Sequence, residues 1–168
     1  GNAVAVETFI DSFVGGEGAD SLALKVESQL VRDVSSLSTM TFNVYSMDVT
    51  SARTNRVVET ITKYLPDTVG LQDCSAEWKK RLTSNLGDYY GYVGIGRDAD
   101  GVGLSSGILY AKEKFTLVDS GTKWLSETPD TVSMVEGSDA NYTFTYVVLR
   151  TADGTEYMTD GFQKMLRT

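Results

Sequence analysis

A chain of 168 residues with 41% hydrophobic side chains and only 2 prolines has the size and composition of one folded domain, not of a linker or disordered tail. Its formal net charge of -8, from 23 acidic and 15 basic side chains, argues against nonspecific attraction to DNA, RNA or an anionic membrane, although a bound divalent cation would reverse that field locally. With 0 histidines and the single Cys74, these residues offer no imidazole base or ligand, no intramolecular disulfide and no cysteine-rich zinc site.

In chain order, Val6, Phe9, Ile10 and Phe13 at helical spacing, followed by Gly15 and Gly16, predict a short amphipathic helix over 4–13. Two patterns compete over 22–31: Leu22, Val26 and Leu30 fit a helix, the slightly favoured reading, while Leu22, Leu24 and Val26 alternate as in a strand. Met40, Phe42 and Val44 alternate along a predicted strand that carries Asn43 at its end. Asp48 to Ser51 can cap the next helix, whose stripe is Val57, Val58, Ile61 and Leu65, leaving Arg53, Arg56 and Lys63 facing mostly outward. Pro66 and Asp67 end it, and the run Thr68-Val69-Gly70-Leu71 forms a second strand delivering Gln72 and Asp73 to its carboxyl end. Strand, helix, strand in this order implies a parallel pair joined by a right-handed crossover.

Ser75 then caps a helix with Trp78, Leu82 and Leu86 on one face and Gly87 beyond its end. Strands are predicted over 89–94, 107–111 and 115–121, with a Gly- and Asp-rich loop over 95–106 and a long connection over 125–137. Tyr142, Phe144, Tyr146 and Val148 alternate along the clearest strand and are assigned to the core; Asp153-Gly154 turns the chain into a hairpin with 156–162. The fold class that accommodates both halves is α/β, a mixed β-sheet with covering helices. No 18-residue apolar segment predicts a membrane span, and no leader is visible at Gly1-Asn2-Ala3, which leaves secreted and cytoplasmic placements open.

Candidate chemistry concentrates where the two parallel strands end. Asn43 and Asp73 fall on one rim of the sheet, where ligands of open α/β sheets bind, and offer hard oxygen donors suited to Mg²⁺ or Mn²⁺. The structural alternative makes Asn43 a turn cap and Asp73 the cap of the helix near Ser75. Arg97, in a loop with Asp98, Asp100, Gly101 and Gly103, can hold a phosphate, although the glycines match no nucleotide-binding pattern and an ordinary solvated loop is the competing reading. Glu127, Asp130, Glu136 and Asp139 show no spacing that fixes a glycosidase pair, Cys74 reads as a partly buried inert thiol, and Asn141-Tyr142-Thr143 matches a glycosylation sequon.

Met40-Thr41-Phe42-Asn43-Val44, the run 53–65, Pro66-Asp67-Thr68-Val69-Gly70-Leu71-Gln72-Asp73, the run 94–100, Gly107-Ile108-Leu109-Tyr110 and the run 115–130, ending Trp124-Leu125-Ser126-Glu127-Thr128-Pro129-Asp130, in this order, resemble the endonuclease/exonuclease/phosphatase family, which is DNase I-like. The resemblance implies an incomplete DNase I-like sandwich, in which Asn43 and Asp73 stand at the metal and phosphate site. Asp73 replaces the usual glutamate, shortening its reach by one methylene. Ser105 and Ser106 stand where a glutamate is common, and Tyr142 near a usual arginine. Thr159-Asp160-Gly161 stands where Asn-Thr-His is expected, and the later Gly-Asp-Phe-Asn and Asp-His motifs do not follow.

The expected division is an N-terminal helical extension over 1–38, packing on a truncated family domain over 39–168. The functional expectation is a degenerate phosphatase- or phosphodiesterase-like domain, without catalysis as an isolated chain and retained for binding or assembly. In that reading Asn43 and Arg97 are the phosphate-binding candidates. The alternative is a divalent-metal-dependent phosphoester hydrolase using Asp73 and Asn43 as metal ligands with Mg²⁺ or Mn²⁺, alone or completed by a partner chain. The missing apolar cover points to the N-terminal extension, the C-terminal hairpin, a second copy, or another protein.

Overall fold

The computed structural model describes residues 37–162, so the segments 4–13 and 22–31 and nearly all of the 1–38 extension lie outside the described residues. Strand β1 (Thr39–Asn43) pairs in parallel with β2 (Thr68–Gln72), and helix α1 (Ser51–Tyr64) makes the crossover between them. Thr50 caps α1 by accepting the Arg53 N–H at 3.3 Å, and Leu65 closes it in the left-handed region with φ 43, immediately before Pro66. Thr54 and Thr62 share the buried stripe with Val57 and Ile61. Their hydroxyls donate back to the carbonyls of Thr50 and Val58, which removes the penalty for burying them.

Helix α2 (Ala76–Leu86) is capped by Ser75 and buries Trp78, Leu82 and Leu86 against the same sheet face as α1. Antiparallel strands β3 (Tyr90–Val93) and β4 (Ile108–Ala111) finish this sheet in the order β1-β2-β4-β3. A second, antiparallel sheet follows, β5 (Thr116–Trp124), β6 (Thr143–Arg150) and β7 (Glu156–Phe162), in the order β5-β6-β7. It stacks on the first with β7 across β2 and β6 against β4. The mixed sheet and the antiparallel hairpins that periodicity draws as one layer are thus two layers with helices outside the first, an incomplete DNase I-like sandwich. Among the described residues, no helix is long and apolar enough to cross a membrane.

Asp67 does more than end α1. Its Oδ2 accepts the Ser38 N–H at 2.8 Å, its Oδ1 pairs with the Lys114 ammonium, and its own N–H donates to Ser38 Oγ at 3.0 Å. This buried carboxylate therefore ties the start of β1, the start of β2 and the β4–β5 turn together, with both oxygens engaged as burial of a charge requires.

Two expectations change. In β6 the buried face is Thr143, Thr145, Val147 and Leu149, whereas Phe144, Tyr146 and Val148 are half-exposed. Threonines tolerate the interior here because Thr145 shares a hydroxyl bond with Thr122 at 3.0 Å, and the Thr143 carbonyl accepts Ser106 Oγ–H at 3.0 Å, a direct link between the sheets. Arg53, expected outside, turns inward: its guanidinium donates to the carbonyls of Met47 at 2.5 Å and Val44 at 2.8 Å and lies over the rings of Tyr45 and Trp78. It fixes the loop after β1 against α2 through hydrogen bonds and cation–π contact.

Candidate functional site

Parallel pairing in register brings the carboxyl ends of β1 and β2 to one rim, with Asn43 opposite Gln72. Asp73 follows at φ 54, leaving the strand direction at once; aspartate is one of the few non-glycine residues that adopts this region readily. The outcome is a contact: Asn43 Nδ2–H donates to Asp73 Oδ2 at 2.8 Å, while Asn43 Oδ1 accepts the Tyr45 N–H at 2.8 Å. Asn43 therefore caps its own turn and also orients Asp73. Asp73 does not cap α2, because Ser75 Oγ accepts the Trp78 N–H at 3.3 Å in that role.

Arg97 lies in the loop between β3 and β4. That loop folds on itself through Gly96 N–H to Gly101 O, Arg97 N–H to Leu104 O and Asp98 N–H to Val102 O, each 3.0 Å. Gly103 is required at its return, since φ is 82 and a Cβ there would fall 2.2 Å from Asp98 Oδ2. The second sheet pins the loop from the other side: Trp124 Nε1–H donates to the Arg97 carbonyl at 2.6 Å and Asn141 Nδ2–H to Asp98 Oδ1 at 3.1 Å.

The Arg97 guanidinium lies 5.8 Å from the centroid of the Tyr142 ring. The Tyr142 hydroxyl titrates above the ordinary tyrosine range, chiefly because it donates to Asp139 at 2.9 Å; Arg97 lowers it and Asp73 raises it. Arg97 Nε is buried without a hydrogen-bond acceptor.

No protein-family profile and no curated protein sequence matches the chain. Solved structures do. An endonuclease/exonuclease/phosphatase from Bacteroides vulgatus is 29% identical, with a TM-score of 0.67, over 74% of this chain and 51% of that one. A mannosyl-6-phosphatase from Bacteroides thetaiotaomicron is 29% identical, also with a TM-score of 0.67, over 74% of this chain and 50% of its own. The chain is an endonuclease/exonuclease/phosphatase-like domain. A Danio rerio TDP2 complexed with a single-strand DNA product shares the fold alone, at 16% identity and a TM-score of 0.58 over 77% of this chain and 47% of that one. The chain spans about half the length of the solved structures it matches.

Within this endonuclease/exonuclease/phosphatase-like domain the departures from the family pattern have structural explanations. Ser105 Oγ–H donates to the Cys74 carbonyl at 2.9 Å and Ser106 is committed to β6, so both act as interior hydrogen-bond groups in place of a carboxylate. In β7 the register sets Thr159 opposite Val147, and Asp160, opposite Tyr146, is exposed on the other face. Gly161 stands where the resemblance expects a histidine.

The remaining candidates do not join the rim as reactive groups. Asp130 pairs with Lys123, Asp139 serves Tyr142, and Glu127 and Glu136 are exposed. Cys74 is buried, and burial raises its thiol above the ordinary range despite hydrogen bonds from Tyr92 and Ser105, which leaves it inert. The sequon asparagine spends its amide on Asp98 and the Arg97 carbonyl, and Thr143 is interior. Among the described residues, no group of three or more His, Cys, Asp or Glu side chains is placed to hold a metal ion. Sequence reasoning missed Tyr142, Asn141 and Trp124 as the residues that set Arg97; it read Tyr142 as core and as standing near a usual arginine, Asn141 as a sequon and Trp124 as part of a family segment.

Proposed function

We propose that this domain binds a phosphate ester at the Asn43, Asp73, Arg97 rim and, as these 168 residues alone, does not hydrolyse it. The observation that carries the reading is the buried Arg97 Nε without an acceptor. Leaving such a donor unsatisfied costs about 1–3 kcal/mol, and a phosphate oxygen admitted by a shift of the covering side chains would remove that cost while gaining a charge-assisted bond. Similarity to a mannosyl-6-phosphatase and to endonuclease/exonuclease/phosphatase proteins supports a phosphate monoester or diester as the ligand class. Hydrolysis needs a group to activate water, and the sequence, with 0 histidines, holds no imidazole to do it.

The family implies a divalent cation. The donor set on the rim fits such an ion only in part: Asp73 would be its anionic ligand, water and the ester's oxygens would have to supply the others, and Asn43 would orient the carboxylate. Such an ion would polarise the phosphoryl group and offset its charge. This contact favours the second reading, a metal-dependent hydrolase completed by a partner chain.

Calorimetric titration of a phosphomonoester with Mn²⁺, paired with a release assay for phosphate, tests both. Binding that weakens about tenfold or more in Arg97→Ala, without turnover, is the expected result. No binding by the wild type would overturn the proposal. Turnover lost in Asp73→Ala would establish the hydrolase reading instead.

A further inference from the structure

We propose that Arg53 is a positioning residue of the candidate site: by clamping the loop after β1 it fixes which end of the Asn43 amide meets Asp73. Its effect on ligand affinity rests on the phosphate-ester reading, whereas the relay itself stands on hydrogen bonds alone. A carboxamide carries a donor end and an acceptor end of nearly equal shape, and its bonded neighbours decide which faces where. Asn43 is exposed; its Oδ1 accepts the Tyr45 N–H at 2.8 Å and its Nδ2–H donates to Asp73 Oδ2 at 2.8 Å. A backbone N–H can only donate. Tyr45 therefore claims the oxygen end and leaves the NH₂ end for the carboxylate.

The strand ladder does not fix this amide. It holds the backbone as far as the Val44 N–H, which donates to the Gln72 carbonyl at 3.1 Å, and beyond it the chain turns sharply. Tyr45 sits at φ 54 and Asp48 at φ 54. A tyrosine adopts the left-handed region only at a cost, so the turn persists where its surroundings over-determine it. Here Val44, Tyr45 and Met47 all have their carbonyls captured. Arg53 Nη2–H donates to the Val44 carbonyl at 2.8 Å and Nη1–H to the Met47 carbonyl at 2.5 Å, on either side of Tyr45 in sequence. Trp78 Nε1–H donates to the Tyr45 carbonyl at 2.9 Å. The guanidinium also lies over the Tyr45 and Trp78 rings, 5.5 and 5.6 Å from their centroids.

The frame behind the clamp is firm. Trp78 is fully buried, and the Thr50 cap accepts the Arg53 N–H in the first turn of α1. Reaching two carbonyls while lying flat on aromatic rings needs the planar fork of a guanidinium. A lysine ammonium keeps the charge and most of the stem but cannot span both carbonyls. Because position 53 is half-buried and outside the core cluster, Arg53→Lys removes the clamp and leaves helix and core in place.

Nitrogen–proton NMR of the full 168-residue chain tests the relay, with the Asn43 NH₂ pair identified by its absence in Asn43→Ala. In wild type that pair should exchange with water at least about threefold more slowly than a free asparagine amide, and Arg53→Lys should bring it to the free rate. The Val69 and Leu71 amide resonances of β2 should stay where they are. Where Arg53→Lys does not fold, Arg53→Gln, which retains one planar NH₂, carries the same comparison. Calorimetric titration of phenyl phosphate with Mn²⁺ gives the second readout: Arg53→Lys and Asn43→Ala should each weaken binding about three- to tenfold, and the double variant no more than Asn43→Ala alone. Losses that multiply in the double variant would overturn the inference. So would an Asn43 pair that exchanges freely in wild type, or one that stays protected in a folded Arg53 variant. A wild type that binds no phenyl phosphate would sink the phosphate-ester reading and leave the NMR comparison to decide the relay.

Discussion

At Arg97 a guanidinium nitrogen has been taken out of water without receiving an acceptor, and the groups holding it there are an aromatic ring and two backbone-directed donors. Tyr142 contributes through its ring face, with its hydroxyl committed to Asp139 on the side. The two contributions separate by substitution. Tyr142→Phe keeps the ring, so phosphate-ester affinity should stay within about twofold of wild type, whereas Tyr142→Ala should weaken it about three- to tenfold, the scale of a partly exposed cation–π contact. The same titration used for Arg97→Ala reads this. Equal losses in both variants would assign the effect to the hydroxyl. Asn43 and Asp73 were legible from sequence because parallel strands joined by one crossover must end on the same rim. Tyr142 was not, since its ring meets Arg97 across a separation in sequence that no local period can span.

Elements show the same division between local and long-range information. Thr50, Ser75, Leu65-Pro66 and Gly87 end their helices by local chemistry, and the apolar stripes of α1 and α2 follow from period alone. The β6–β7 hairpin is equally local: Asp153 Oδ1 accepts the Thr155 N–H at 2.9 Å and the Thr151 hydroxyl, and Gly154 supplies φ 90. Those bonds, the Thr151 hydroxyl first, hold the Asp153 carboxyl below the ordinary aspartate range. A depressed native value favours the folded hairpin above the unfolded-state pKa, and the contribution disappears as pH falls through the native one. The melting temperature of wild type should therefore exceed that of Asp153→Ala above about pH 4 and converge with it at lower pH. A constant gap across that range would show that the carboxylate charge is not responsible.

The face of β6 was beyond local reasoning. Its alternation is apolar on both sides, and only the stacked sheet, through Ser106 and Thr122, decides that threonines go in and aromatics stay half-exposed. Arg53 escaped for a related reason: helical period puts it at the edge of the stripe, but the carbonyls that capture it belong to the loop after β1.

On the scale of the whole molecule, a site with one guanidinium sits in a chain carrying a net charge of -8. An anionic ester approaching from solution meets long-range repulsion first and the attraction of Arg97 only near contact. Added monovalent salt shortens the Debye length to about 10 Å at 0.1 M, which screens the distant acidic groups more than the adjacent, partly desolvated guanidinium. Association should therefore accelerate with salt, about two- to threefold between 10 and 100 mM, the reverse of the slowing seen when net charge and ligand are opposite. Mg²⁺ at equal ionic strength should accelerate it further if Asp73 recruits the ion, and Asp73→Asn should remove that excess while leaving the effect of NaCl intact. Stopped-flow measurement of a fluorescent phosphomonoester separates these terms. An association rate that falls steadily with NaCl would mean that the field at the rim is positive well beyond Arg97, and would redirect attention to basic side chains in 1–36 and 163–168.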